Sequence, residues 1–151
     1  AKFNGVGING KNSEMHAAMG LCVLDAIEEI LSRRKAQCEY YDEQLAPLNL
    51  KRPEPVEEAS VNHAYYPVLF ESHEAMKASM QALKENDISP RRYFYPSLSS
   101  LDYVPEADTP VSDDVAARVL CLPLYHTLDK SEQKAITKII RRTSPGFASR
   151  L

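Results

Sequence analysis

The sequence predicts a small mixed α/β domain: one long helix, then a short sheet with helices packed on it. Three observations carry this. A helical apolar pattern runs unbroken from residue 13 to residue 46. Downstream, short runs rich in β-branched and aromatic residues alternate with segments of helical period. The resulting order, helix and then β-α-β-α-β-α, suits a three-stranded sheet covered by helices. At 151 residues the chain can hide roughly 70% of its unfolded surface, enough for a real core.

Residues 1–12 form a glycine-rich loop. Gly5, Gly7 and Gly10 are three of the five glycines, and Lys11 follows them. Such a loop offers backbone N–H groups, a cation and a helix N-terminus to a phosphate. Ser13 or Asn12 caps the helix of residues 13–46, and Pro47 stops it. From Met15 to Ile27 this helix is apolar on nearly every face, and Ala17, Ala18 and Gly20 keep it thin. Glycine costs about 1 kcal/mol against alanine in a helix interior, so a close approach of another backbone is expected at Gly20. Beyond Glu28 the helix is amphipathic, with Ile30, Leu31, Cys38, Tyr41 and Leu45 on one stripe. Its first half wants more partner surface than a small domain offers: another domain, another subunit, or both.

Residues 47–59 read as a Pro- and Glu-rich connector, and residues 60–143 as the α/β domain itself. Ser60 to Phe70 is a strand, with Pro67 at an edge or bulge. His73 to Asn86 is a helix with Ala75, Met76, Met80 and Leu83 on its apolar face. Ile88 to Tyr95 is a second strand, and Leu98 to Pro110 is irregular. Val111 to Arg118 is a short helix, Val119 to Leu122 a third strand, and Leu128 to Arg142 a final amphipathic helix. The tail of residues 144–151 frays.

Composition removes several classes. A net charge of -3 gives no reason to expect nucleic-acid binding. No apolar run approaches the roughly 20 residues that cross a bilayer, and no signal-peptide pattern is present. Cys22, Cys38 and Cys121 are odd in number and lack CxxC spacing, which reads as reduced thiols in a cytoplasmic protein. His16, His63, His73 and His126 make no HxxxH or HxH pair, so no metal site is expected.

The glycine loop admits three readings. Gly5-x-Gly7-x-x-Gly10 matches a dinucleotide fingerprint in letters only: Ala1 to Asn4 is a poor strand, and Glu28 and Glu29 lie inside a helix. Gly5-x-x-x-x-Gly10-Lys11 nearly matches a P-loop, but Asn12 stands where Ser or Thr should hold magnesium. Taken as a unit, Gly7-x-Asn9-x-Lys11-x-Ser13-Glu14-x-x-Ala17-Ala18-x-Gly20-Leu21 resembles a signature of the DegT/DnrJ/StrS family of sugar aminotransferases. Ile88-Ser89-Pro90-Arg91-Arg92-Tyr93-Phe94-Tyr95-Pro96 is similar to a segment of the branch acting on nucleotide-linked keto-sugars. Ala117-x-x-Val119-Leu120-x-Leu122-Pro123-Leu124-Tyr125 resembles the family's late Leu-Pro-Leu strand.

The resemblance implies the small C-terminal domain of a fold-type-I pyridoxal phosphate enzyme, a homodimer with active sites at the subunit interface. The cofactor lysine of the family lies in a large domain before this block, so no catalytic residue is expected here and the chain alone should not transaminate. By motif, Asn9 meets the cofactor phosphate across the dimer, and Lys11 adds charge beside it. Arg92 of the Arg91-Arg92 pair meets the nucleotide diphosphate, while Tyr93 and Tyr95 shape the sugar pocket and His63 approaches from the neighbouring strand. Many relatives carry a His-Tyr pair where this chain has Phe94-Tyr95, which removes one hydrogen-bonding group. The implied chemistry moves an amino group from an amino acid, glutamate by expectation, to a nucleoside-diphosphate keto-sugar. A non-catalytic interaction module built on the same fold is the alternative, and a P-loop nucleotide-binding protein a weaker one.

Overall fold

The computed structural model describes residues 10, 13–48, 50–54, 56–105 and 107–144. Asn9 and Lys11 lie outside the described residues. The expected long helix forms as two. Helix α1 spans Glu14–Asp25 and α2 spans Ile27–Leu45. They part at Ala26, whose φ of -108° and ψ of 8° fall in the sparsely allowed bridge region. Nothing in the side chains there explains the break. Ser13 caps α1, its Oγ accepting the His16 N–H at 3.3 Å. A 3₁₀ turn, Ala46–Leu48, ends α2 at Pro47.

The sheet has two strands, β1 (Tyr66–Leu69) and β2 (Val119–Leu122), paired antiparallel with Tyr66 opposite Leu122 and Leu69 opposite Val119. A single bridge from Lys51 to Leu69 flanks β1, and another from Arg91 to Cys121 flanks β2. The third strand expected at Ile88–Tyr95 is therefore reduced to one paired residue. Pro90 and Pro96 bracket that run and withhold ladder donors, and its aromatic residues serve another purpose, described below.

Alternation decides what is buried along β1, whereas β2 is buried on both faces. Tyr66 and Val68 share a face with Leu120 and Leu122. Helices α2, α3 (His73–Lys84) and α5 (Lys130–Thr143) cover it, with α2 and α3 both packed on α5. Tyr41, Tyr66, Phe70, Met76, Leu83, Leu120, Ile136 and Ile140 are fully buried. Helix α4 (Pro110–Arg118), opened by a proline at its first turn, leads into β2. A reciprocal Asp129–Glu132 capping box starts α5.

Polar groups fasten α2 to this core. The Tyr66 hydroxyl donates to Asp42 Oδ1 at 2.7 Å. Arg52 pairs with the same carboxylate and lies 3.9 Å over the Tyr66 ring. Tyr41 Oη donates to the Pro123 carbonyl at 2.9 Å. Gln37 Nε2 donates to the carbonyls of Tyr125 and Leu128 at 2.8 and 3.0 Å. Gln133 Nε2 returns a bond to the Gln37 carbonyl at 3.0 Å. Arg141 donates twice to the Gln44 carbonyl, at 2.9 and 2.6 Å, placing a cation at the C-terminal end of α2.

The grip begins at residue 37: the buried residues of α2 are Gln37, Cys38, Tyr41 and Leu45. Helix α1 has none. Met15, Met19, Leu21, Val23 and Leu24 are between 50% and 73% exposed. A Cβ added at Gly20 meets nothing within 4 Å among the described residues, so the close backbone approach expected there is not made by any of them. At 1.5 Å per residue, residues 14–36 amount to roughly 35 Å of helix contour beyond the buried core contacts of α2.

Replacing Tyr66 by Phe keeps the packing and deletes one charge-assisted donor. The expected loss is about 1 kcal/mol, read as a lower urea midpoint with an unchanged denaturant slope.

Candidate functional site

The candidate site is a cleft of about 480 Å³ between the segment after Arg92 and helix α4. Tyr93, Phe94, Tyr95, Leu98 and Leu101 form one wall, Val115 and Ala116 the other, and Val119 of β2 belongs to the lining. Ser97 and Ser112 add hydroxyls. An apolar bay with a few polar tips is the usual form of a small-molecule site.

The aromatic wall is braced from behind. Tyr65 stacks on Tyr93 with ring centres 5.0 Å apart, and the two hydroxyls meet at 3.3 Å. That hydrogen bond holds the Tyr65 phenol above its ordinary pKa. Phe94 packs on Tyr93 with ring centres 4.1 Å apart and remains 73% exposed. Beneath the segment, Ser97 contacts Ser99 at 3.0 Å and Ser112 at 3.2 Å. Ser99 donates to Asp113, and Thr109 Oγ1 lies 3.3 Å from both oxygens of that carboxylate. These hydroxyls, Ser99 first and then Ser97, hold Asp113 below the usual carboxylate range.

The two adjacent arginines have different partners. Arg92 Nη2 donates to the carbonyls of Ala116 and Ala117 at 3.2 and 3.1 Å, in the last turn of α4. Its guanidinium carbon lies 3.4 Å from the centre of the Tyr95 ring. Arg91 is fixed by its backbone, exchanging bonds of 3.0 and 2.8 Å with Cys121. Its exposed side chain stands 5.6 Å over the Tyr93 ring.

Of the residues expected from sequence, the structure brings Arg92, Tyr93 and Tyr95 together. It does not bring His63 to them. His63 has a φ of 48° and lines a separate groove with Asp42, Arg52 and Pro67. Tyr65, Val115 and Val119 complete the site, and sequence reasoning did not single them out. The signal for Tyr65 was present: alternation from buried Tyr66 turns its neighbour to the opposite face.

The other reactive groups are differently disposed. Burial pushes the Cys38 thiol up to about 11 and raises that of Cys121, so neither is an activated nucleophile. The seven described lysines, from Lys35 to Lys138, are all exposed. None is a desolvated amine fitted to hold pyridoxal phosphate covalently. Among the described residues there is no group of three or more acids, histidines or cysteines placed to hold a metal. No described helix is long and apolar enough to cross a membrane.

Comparison with known proteins adds the family context. The profile of the DegT/DnrJ/EryC1/StrS aminotransferase family matches residues 1–141. The chain is 35% identical over 144 residues to the dTDP-4-amino-4,6-dideoxy-D-glucose transaminase of Escherichia coli, covering 89% of this chain and 38% of that protein. It superposes on DesI, solved in the presence of its TDP-sugar product, with a TM-score of 0.78 and 30% identity over 95% of this chain and 39% of that one. Spr1654 of Streptococcus pneumoniae, solved in a PLP form, shares the fold with a TM-score of 0.74 at 22% identity, covering 89% of this chain and 36% of that one. The chain thus spans less than half the length of these relatives.

Asp113 titrates below its free-chain value, so the hydroxyl bonds to its carboxylate are kept above about pH 4 and lost as the pH falls through the lower, folded value. Acid titration followed by hydrogen exchange should show residues 97–101 loosening below about pH 4. The Asp113→Asn variant should lack that transition.

Proposed function

Because the chain belongs to the DegT/DnrJ/EryC1/StrS aminotransferase family, matched over residues 1–141, we propose that it is the C-terminal part of a sugar aminotransferase. The whole protein moves an amino group from an amino acid, glutamate in this reading, to a keto-sugar carried on a nucleoside diphosphate. The 35% identity to a dTDP-sugar transaminase over 144 residues is the observation that carries this reading. The TDP-sugar product named for DesI points to the same substrate class.

Within that protein the chain's contribution is binding and shape. Asn9 and Lys11 meet the cofactor phosphate, the Asn9 amide as a hydrogen-bond donor and Lys11 as a charge. Pyridoxal phosphate, when bound, supplies the electron sink for amino transfer. The reactive lysine lies in a large preceding domain, which fits the exposure of every described lysine here. Tyr93 and Tyr95 present an aromatic wall to the sugar nucleotide. The uncovered apolar helix α1 packs against the large domain and the second subunit of a homodimer. The assembled enzyme is cytoplasmic and has no nucleic-acid or membrane partner.

Three measurements test this. The whole protein, given glutamate and a dTDP-linked 4-keto-sugar, should yield the amino sugar by mass spectrometry, and the chain alone should yield none. Asn9→Ala should weaken cofactor retention by about tenfold, the scale of one charge-assisted hydrogen bond. Gly20→Ala should stabilise α1 of the isolated chain by up to about 1 kcal/mol but weaken dimerisation of the whole protein, where a second backbone closes on that position. Failure to aminate keto-sugars on dTDP, UDP or GDP would defeat the proposal.

A further inference from the structure

Two neighbouring arginines precede the aromatic wall, and only one is turned outward. Arg92 commits the Nη2 of its guanidinium inside the chain. It donates to two carbonyls at the end of α4, 3.2 and 3.1 Å away, and its guanidinium carbon stands 3.4 Å over the centre of the Tyr95 ring. Ala116, which accepts one of those bonds, lines the cleft together with Tyr95. The one side chain therefore ties both walls of the cleft to each other. Its Nε is enclosed and meets no partner among the described residues, so the plane of the group is set by the stack and by the α4 carbonyls. A phosphate taking Nη2 would have to displace the bonds that hold the wall in place.

We infer that Arg92 is a positioning residue: it sets Tyr95 and the width of the cleft, and it is not the group that binds the substrate's diphosphate. The inference rests on the nucleotide-sugar reading for what occupies the cleft, but the geometry of Arg92 stands apart from it. Two donations from one nitrogen are open to an ammonium as well, but stacking of a planar cation on an aromatic ring is a property of a guanidinium that an ammonium lacks. Lysine at 92 therefore keeps the charge and loses the positioning, which separates the two roles.

The test uses the whole protein and its Arg92→Lys, Arg92→Gln and Arg91→Gln variants. Hydrogen exchange of residues 93–101 is measured without ligand, and dTDP binding at low and high salt. Both Arg92 variants should exchange about tenfold faster in this segment, from loss of the guanidinium's contact with the ring and its donation to two carbonyls, while Arg91→Gln leaves it unchanged. Both should bind dTDP about tenfold more weakly with the salt dependence of the unaltered protein, since no exposed charge contact is lost. In a Tyr95→Ala background, Arg92→Lys should then cost less affinity than in the unaltered protein, because the contact with the ring is already gone and only the donation to α4 remains to be perturbed. The inference is overturned if Arg92→Lys retains dTDP affinity while Arg92→Gln loses it, or if the segment exchanges as before in both. If the unaltered protein does not bind dTDP, the nucleotide-sugar reading fails, and the exchange comparison still decides the role of Arg92.

Discussion

The fold hangs on one junction, where the sheet meets the second half of α2. Two strands of four residues bury too little by themselves to be stable in water. Their inner face survives because Tyr66, Val68, Leu120 and Leu122 close against the helices. Tyr66 is the element that makes this closure specific. Its ring packs on Tyr41 at 4.8 Å while its hydroxyl reaches Asp42. The sheet thus has a fixed position along α2. From that position follow the placement of β2, the carbonyls that α4 offers to Arg92, and the bay that opens between them.

Much of this was legible in the sequence, and for identifiable reasons. Helices α3 and α5 carry clean apolar stripes and local caps, so period and punctuation agree. The pair Tyr66–Leu69 and Val119–Leu122 shows the β-branched and aromatic enrichment that burial demands. The run Ile88–Tyr95 has the same enrichment for a different cause. Tyr93, Phe94 and Tyr95 are aromatic because they wall a cleft, and composition alone does not separate that use from a strand. The break at Ala26 left no signal, since alanine is the best helix former there is.

For the site, residue type was readable and commitment was not. An Arg-Arg pair beside aromatics suggests anion binding, and alternation says that only one side chain can face a given way. Which one is free depends on the α4 carbonyls, 24 residues later in the chain. His63 shows the same limit. It precedes the strand that leads to Tyr66, yet its left-handed backbone and the groove it lines carry it away from the cleft. Asn9 and Lys11 remain expectations drawn from motif.

The bend at Ala26 and the late start of the α2 grip have a mechanical meaning. The small domain rides on a stem whose outer turns contribute nothing to its core, so the stem can be steered without loosening what it carries. Whatever clamps the apolar tip sets the pose of Tyr93 and Tyr95 as a rigid payload. Opening and closing of a pocket shared with that clamp would then be a pivoting of the whole unit, with its interior packing untouched.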